Sequence, residues 1–201
     1  MNRPNISGLK LLTLKRSQSL LLRCVRGASG LARTMDWSGA SMAVDIFAKL
    51  GDIEGESTDD KHKDEVEVLS YSWGVTNPAH IGTGGGGGAG RATFQDLSIV
   101  HKIDKASPQL LRACATGQHL KEATITFRKA GKAQQEFLII KMNDVIITGV
   151  VNSDTRGSEA GSETVNLEFA KVDWQFRPQK ADGSLDAGIH FKFDIKANKV
   201  G

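Results

Sequence analysis

With 201 residues and 39% hydrophobic content, the chain is long enough for one folded domain with a real core and a short appendage. Its formal charge of +3 hides two unlike parts: residues 1–41 hold seven bases against the single acid Asp36, and residues 42–201 hold nineteen bases against twenty-two acids. The larger part is therefore slightly acidic, which argues against a nucleic-acid groove, and two cysteines, Cys24 and Cys114, exclude a disulfide framework.

Residues 1–41 are basic and rich in Ser and Leu. Lys10, Lys15, Arg16 and Arg23 interrupt Leu9, Leu11, Leu12, Leu14, Leu20, Leu21 and Leu22, so no run is long enough to insert in a membrane. The apolar stretch is also too short for a secretory signal, and no small-residue cleavage site follows closely. An amphipathic helix or an organelle presequence fits the composition. Met42-Ala43-Val44-Asp45-Ile46-Phe47 reads as a natural beginning, so residues 1–41 are expected to be an extension outside the native fold and 42–201 the domain.

The domain reads as strands. Val44, Ile46, Ala48 and Leu50 alternate with polar and aromatic neighbours until Gly51, giving a first strand. The charged run 51–64 reads as a solvated loop, and His62 in it has no second histidine at metal-ligand spacing. In the second strand, about Glu65 to Val75, Val66 and Val68 share one parity while Leu69, Tyr71, Trp73 and Val75 share the other. One inserted residue near Leu69, a β-bulge, reconciles the two sets. Leu69, Tyr71 and Trp73 are then expected on the core face, and the small residues Ser70, Ser72 and Gly74 on the opposite one.

Between Gly82 and Gly90 the only side chains are those of Thr83 and Ala89, so the loop has almost nothing of its own to pack and much conformational freedom to lose. A bound phosphate or another protein chain would have to order it. Gly85 to Arg91 reads G-x-x-x-x-G-R, but Arg91 stands where a phosphate loop needs Lys, and Ala92 where it needs Ser or Thr. Such a loop also needs a helix directly after it, whereas the following residues, Ala92 to Val100, are β-branched and aromatic with no helical repeat. A third strand, about Arg91 to Val100, is expected there.

Ser107 to Gly117 is the one convincing helix, with Ser107 as N-cap, Pro108 at the first helical position, Gly117 as the stop and Leu110, Leu111 and Cys114 as the buried stripe. Two more strands follow, through Ala123, Ile125 and Phe127 and through Phe137 to Met142. Asn143 and Asp144 then break the chain before a strand at Val145 to Val151. In the next strand Val165, Leu167 and Phe169 lie on one parity and Val172, Trp174 and Phe176 on the other, which implies a second bulge near Ala170. Asp182 and Asp186 read as turn formers, and Ile189, Phe191, Phe193 and Ile195 make a last strand. Long bulged strands suit a closed barrel. The expected fold is mainly β: a small closed barrel of about eight strands with one flanking α-helix. No catalytic, cofactor or metal motif is present at the required spacing, so no enzyme and no cofactor is expected. The competing reading is a nucleotide-binding enzyme using the glycine loop.

The segments MAVDIFAKLGDIEGESTD, EVEVLSYSWGV, GGGGGAGRATFQDLSIVHKIDKASPQLLRACATG, RKAG and VDWQFRPQKADG together resemble the Hcp family (haemolysin-coregulated protein), the tube proteins of bacterial type VI secretion systems. The resemblance runs from Met42 to the C-terminus. It implies a β-barrel with a helix against it, six copies of which form a ring. Stacked rings would form a tube, receive small effector proteins in the lumen, meet sheath and spike components, and leave the bacterial cytoplasm through the apparatus. It further suggests that Ser70 and Ser72 face the lumen and that Gly84, Gly85, Gly86, Gly87, Gly88, Ala89 and Gly90 form a ring-stacking loop.

If the extension lies outside the protein, intact-mass analysis of material expressed from its own genomic locus finds a chain beginning at Met42 or Ala43. A secreted form starting at Met1 would refute this boundary.

Overall fold

The computed structural model describes residues 44–78, 91–130, 134–154 and 161–201. The expected extension 1–41 and the Gly84–Gly90 loop lie outside the described residues. Strands β1 (Val44–Leu50), β2 (Val66–Ser72), β3 (Val75–Thr76), β4 (Thr93–Phe94) and β5 (Leu97–Lys102) precede a helix, α1 (Ser107–Thr116). After it come β6 (His119–Lys129), β7 (Glu136–Ser153), β8 (Ser162–Phe176), β9 (Ile189–Asp194) and β10 (Lys199–Val200).

Eight of these form one antiparallel sheet in the order β10-β9-β8-β5-β2-β1-β6-β7, and a further pairing of β7 with β8 closes it. The closed part has six strands, and the β9–β10 hairpin continues the sheet outward from β8. β3 and β4 form a separate two-stranded ladder, so the expected strand from Arg91 to Val100 is split at Gln95 and Asp96. Alternation fills the barrel: Ala48, Leu50, Val66, Ile99, Ile125, Ile140, Met142, Val165 and Leu167 point inward with 0% exposure. Each larger aliphatic among them contributes roughly 1.5–3 kcal/mol of burial.

The break expected at Asn143 and Asp144 is not a break. β7 runs through it for 18 residues, with Asp144 in the left-handed region at φ 58°, where Asp is better tolerated than most residues. Opposite it, β8 switches its inward set from Val165, Leu167 and Phe169 to Val172, as the parity predicts. The cause differs from the expected bulge near Ala170. β7 makes the same switch, from Met142 to Val145, and Asn143 still pairs with Lys171 and Val145 with Phe169. Both strands turn over together, so no residue is inserted; the one-sided irregularity in this pair lies between Ile147 and Gly149.

At the helix the capping also differs from expectation. Ser107 is the first helical residue and Ala106 the N-cap, with no side-chain cap; in the turn before it the Ala106 N–H donates to Asp104 Oδ1 at 2.8 Å, and the Asp104 N–H donates to Ser107 Oγ at 3.2 Å. Gly117 ends the helix in the left-handed conformation at φ 64°. Its buried stripe is Ser107, Leu110 and Ala113, while Leu111 is exposed and Cys114 half-buried.

Residues 51–64 do not form a solvated loop. Ile53, Ser57 and His62 are buried, and the His62 ring stacks on Phe47 with centroids 4.4 Å apart. The clasp is Arg128, 3% exposed, whose guanidinium donates to Asp59 at 2.8 and 2.6 Å and to Asp45 at 3.3 Å, and lies 4.9 Å from the Phe47 ring centroid. These hydrogen bonds hold the Asp59 carboxyl well below the usual carboxylate range, against the opposing effect of burial. Farther along, Asp182 and Asp186 accept backbone N–H groups from Ser184 and Ala187 as turn formers do. Among the described residues no helix is long and apolar enough to cross a membrane.

Removing the guanidinium leaves the loop unclasped and a carboxylate unpaired, so Arg128→Ala costs about 3 kcal/mol of unfolding free energy at neutral pH, the lower end for a broken buried pair because Asp59 keeps some solvent. Because the folded-state value of Asp59 is depressed, its contribution is present above the unfolded value near 3.9 and is lost as pH falls below it. Thermal melts should therefore show the gap between native and Arg128→Ala closing below about pH 4; a gap unchanged at pH 2 would refute the clasp.

Candidate interaction surface

Four consecutive strands, β2, β5, β8 and β7, present one outward face. The bulge expected at Leu69 is there: Val68 pairs with His101 and Ser70 with Val100, leaving Leu69 without a partner. Val66 and Val68 point inward, and past the bulge Ser70 and Ser72 point outward and are exposed. Tyr71 and Trp73 take the core side as expected. Tyr71 meets Phe127 in an edge-on pair at 4.6 Å yet remains 39% exposed, and Trp73, half-buried, lies 6.0 Å from Phe169 and 6.2 Å from Phe94. Leu69 does not: it is 56% exposed, because the inserted residue of a bulge has no place in either face.

Register then assembles the face from distant parts of the chain. Ser72 lies opposite Ser98, Ser98 opposite Asn166, and Asn166 opposite Gly149. In the next row Ser70, Val100, Thr164 and Val151 are neighbours by the same pairings. These two rows contain no charged side chain. Sequence reading found Ser70 and Ser72 but not Ser98, Asn166 or Gly149, which alternation alone could not align with them.

Beneath the face, on the barrel side, His101 and Glu163 form a cross-strand pair with Nε2 3.1 Å from Oε1, both 0% exposed. At the two sides of the four strands the ladders stop part-way among the described residues. β1 pairs with β2 only at Phe47–Glu67 and Ala48–Val66, and β6 pairs with β7 only as far as Ile146. Among the described residues, the edges of β2 beyond Glu67 and of β7 beyond Ile146 thus have no strand partner.

The ladder of Val75 with Phe94 and Thr76 with Thr93 brackets the glycine loop. A strand, and no helix, therefore follows Gly90, and Arg91 spends its guanidinium on the Ile195 carbonyl at 2.9 Å. Neither arrangement is that of a phosphate loop. Among the described residues no group of three or more His, Cys, Asp or Glu could hold a metal ion.

The profile of the family described as "Type VI secretion system effector, Hcp" matches residues 47–176. The chain belongs to the Hcp family. Protein hcp1 of Pseudomonas aeruginosa is 43% identical over 159 residues, spanning 78% of this chain and 98% of that protein. Among solved structures, Hcp1 from Salmonella typhimurium superposes with a TM-score of 0.65 at 37% identity, covering 80% of this chain and all of the other. A type VI secretion system effector from Yersinia pestis gives 0.61 at 34% identity over 75% of this chain and 99% of that one. The Hcp assignment and the barrel-with-helix fold expected from the sequence both stand, with six strands closing where about eight were expected.

Proposed function

We propose that this Hcp protein is a structural tube subunit of a type VI secretion system: six copies close into a ring, rings stack, and small effector proteins travel in the lumen until the tube is expelled. The observation that carries the reading is a neutral, small-residue sheet face flanked on both sides by open strand edges, in a chain of the Hcp family. Open edges on opposite sides of one sheet suit a heterologous contact, which closes into a ring when the rotation permits. The face between them would then line the channel, with Ser70 and Ser72 toward the cargo. Small hydroxyls leave room and offer both a donor and an acceptor to varied surfaces.

The protein acts in this reading without catalysis or cofactor. Its partners are itself, the carried effectors and the sheath and spike of the apparatus, and it passes from the bacterial cytoplasm to the outside through that apparatus. The loop Gly84, Gly85, Gly86, Gly87, Gly88, Ala89 and Gly90 serves ring-to-ring stacking, because a bare backbone can be shaped by a neighbouring ring at low steric cost, the ordering being offset by contact.

Native mass spectrometry should find a homohexamer; a protein that stays monomeric at high concentration refutes the ring. Replacing Ser72 with Gln should leave the hexamer intact and weaken effector retention. Rings that fall apart would put Ser72 at a subunit contact, and rings that retain effectors normally would remove it from the lumen. Shortening the glycine loop should impair tube assembly and secretion while the isolated domain still folds, and micromolar ATP or GTP binding by the native protein would overturn the stacking role.

A further inference from the structure

The carboxamide of Asn166 lies flat across three strands. From β8 its Oδ1 reaches toward β5 and accepts the Ser98 hydroxyl at 2.5 Å. Its Nδ2 extends the other way, over Gly149 of β7, where an added Cβ would stand 3.1 Å from that nitrogen. Gly149 is therefore the position on β7 where a side chain would press on the amide and shift it by a few tenths of an ångström, and its bareness leaves the amide lying open on the sheet. The two Nδ2 protons have no acceptor among the described residues, while the Oδ1 bond to Ser98 fixes the direction in which they point. Ser72 continues the same row on β2, exposed and opposite Ser98. The row is thus a fixed donor pair beside a freely rotating hydroxyl, with no charge in it.

We propose that Asn166, held by Ser98 and uncovered by Gly149, is a hydrogen-bond donor site for carbonyl oxygens on the surface of the carried protein. The site deepens the lumen reading above and rests on it. A carbonyl oxygen is present on every protein surface, in loops, turns and strand edges, so a donor aimed at it engages cargo of different sequence. Neutral donors also hold without counter-charges, so the engagement is insensitive to salt, unlike a charged lining. Copies repeated around a ring act together, and a weak individual bond becomes useful retention.

The test uses the full chain and a short fluorophore-labelled poly(N-vinylpyrrolidone), a polymer whose polar group is an amide carbonyl that accepts and cannot donate. Native mass spectrometry of every variant accompanies the binding measurement. Native rings should bind the polymer, with an affinity changing less than about twofold between roughly 0.05 and 0.5 M salt. Asn166→Asp keeps the acceptor for Ser98 and removes the donors, so binding should weaken by about tenfold or more when every copy in the ring is changed. Gly149→Ala, which crowds the amide, should weaken it less than Asn166→Asp does, and Asn166→Gln, which keeps the donors, should retain most of it. Intact rings that fail to bind the polymer, bind it equally with Asp at 166, or lose it in salt overturn the donor site and leave the tube reading standing. A native protein that forms no ring overturns the tube reading itself.

Discussion

Everything in this fold depends on one long ribbon, β7 paired with β8 from Leu138–Phe176 to Ser153–Ser162. A two-stranded ribbon of this length cannot bury the same face throughout a small closed barrel, because strand twist carries its inward side away from the core. The turnover at Asn143–Asp144 and Ala170–Lys171 solves this. Before it Ile140, Met142 and Val172 point inward; after it Val145, Ile147, Val165 and Leu167 do. The first half of β7 can thus pair with β6 while the far half of β8 pairs with β5. Without the turnover, one of these halves would present its apolar set to water.

The turnover also decides what the outside looks like. Once Ile147, Val165 and Leu167 are committed inward, the outward set is Gly149, Val151, Thr164 and Asn166, next to Ser98 and Val100 on β5 and Ser70 and Ser72 on β2. The exposed charges of these strands, Lys102 and Glu168, lie in the adjoining rows. Glu163 is buried against His101, where each ion or polar group removed from water needs the other as its partner. Arg128 is likewise consumed on the far side of the barrel by Asp59 and Asp45.

How far the sequence could carry this follows from which signals live in one strand. The bulge at Leu69 was legible because Val66, Val68, Tyr71 and Trp73 change parity within a single strand. The second change of parity, after Phe169, was equally legible, but one strand cannot tell an inserted residue from a turnover shared with its partner, so the cause was misassigned. Leu69 was placed on the core face because an alternation rule has no separate slot for the inserted residue. The burial of 51–64 is not legible in its polar composition because its packing uses Ser57, Asp59 and His62, and the partners that hold it, Arg128 for Asp59 and Phe47 for His62, lie elsewhere in the chain. The helix end is legible at Gly117 and its start less so, since Ser107 has the character of a cap while the N-cap is Ala106, which carries no capping side chain.

Ser70 and Ser72 could be named from the sequence, but the rows they belong to could not, since Asn166 and Gly149 join that of Ser72, and Thr164 and Val151 that of Ser70, through successive registers. That difference bears on how a channel wall can be adhesive without being sticky. An apolar patch gains about 25 cal/mol per Å² from any surface that covers it, including a neighbouring sheet or an unfolded chain. A neutral hydrogen bond made in place of water is worth only about 1 kcal/mol, so a single contact cannot trap a passenger. Retention must then come from repetition around a closed surface, and it disappears when the surface opens. In the proposed lumen reading, a face dominated by Ser, Thr, Asn and Gly, with Val100 and Val151 its only apolar members, therefore couples holding to ring integrity in a way that a wholly apolar or charged lining would not.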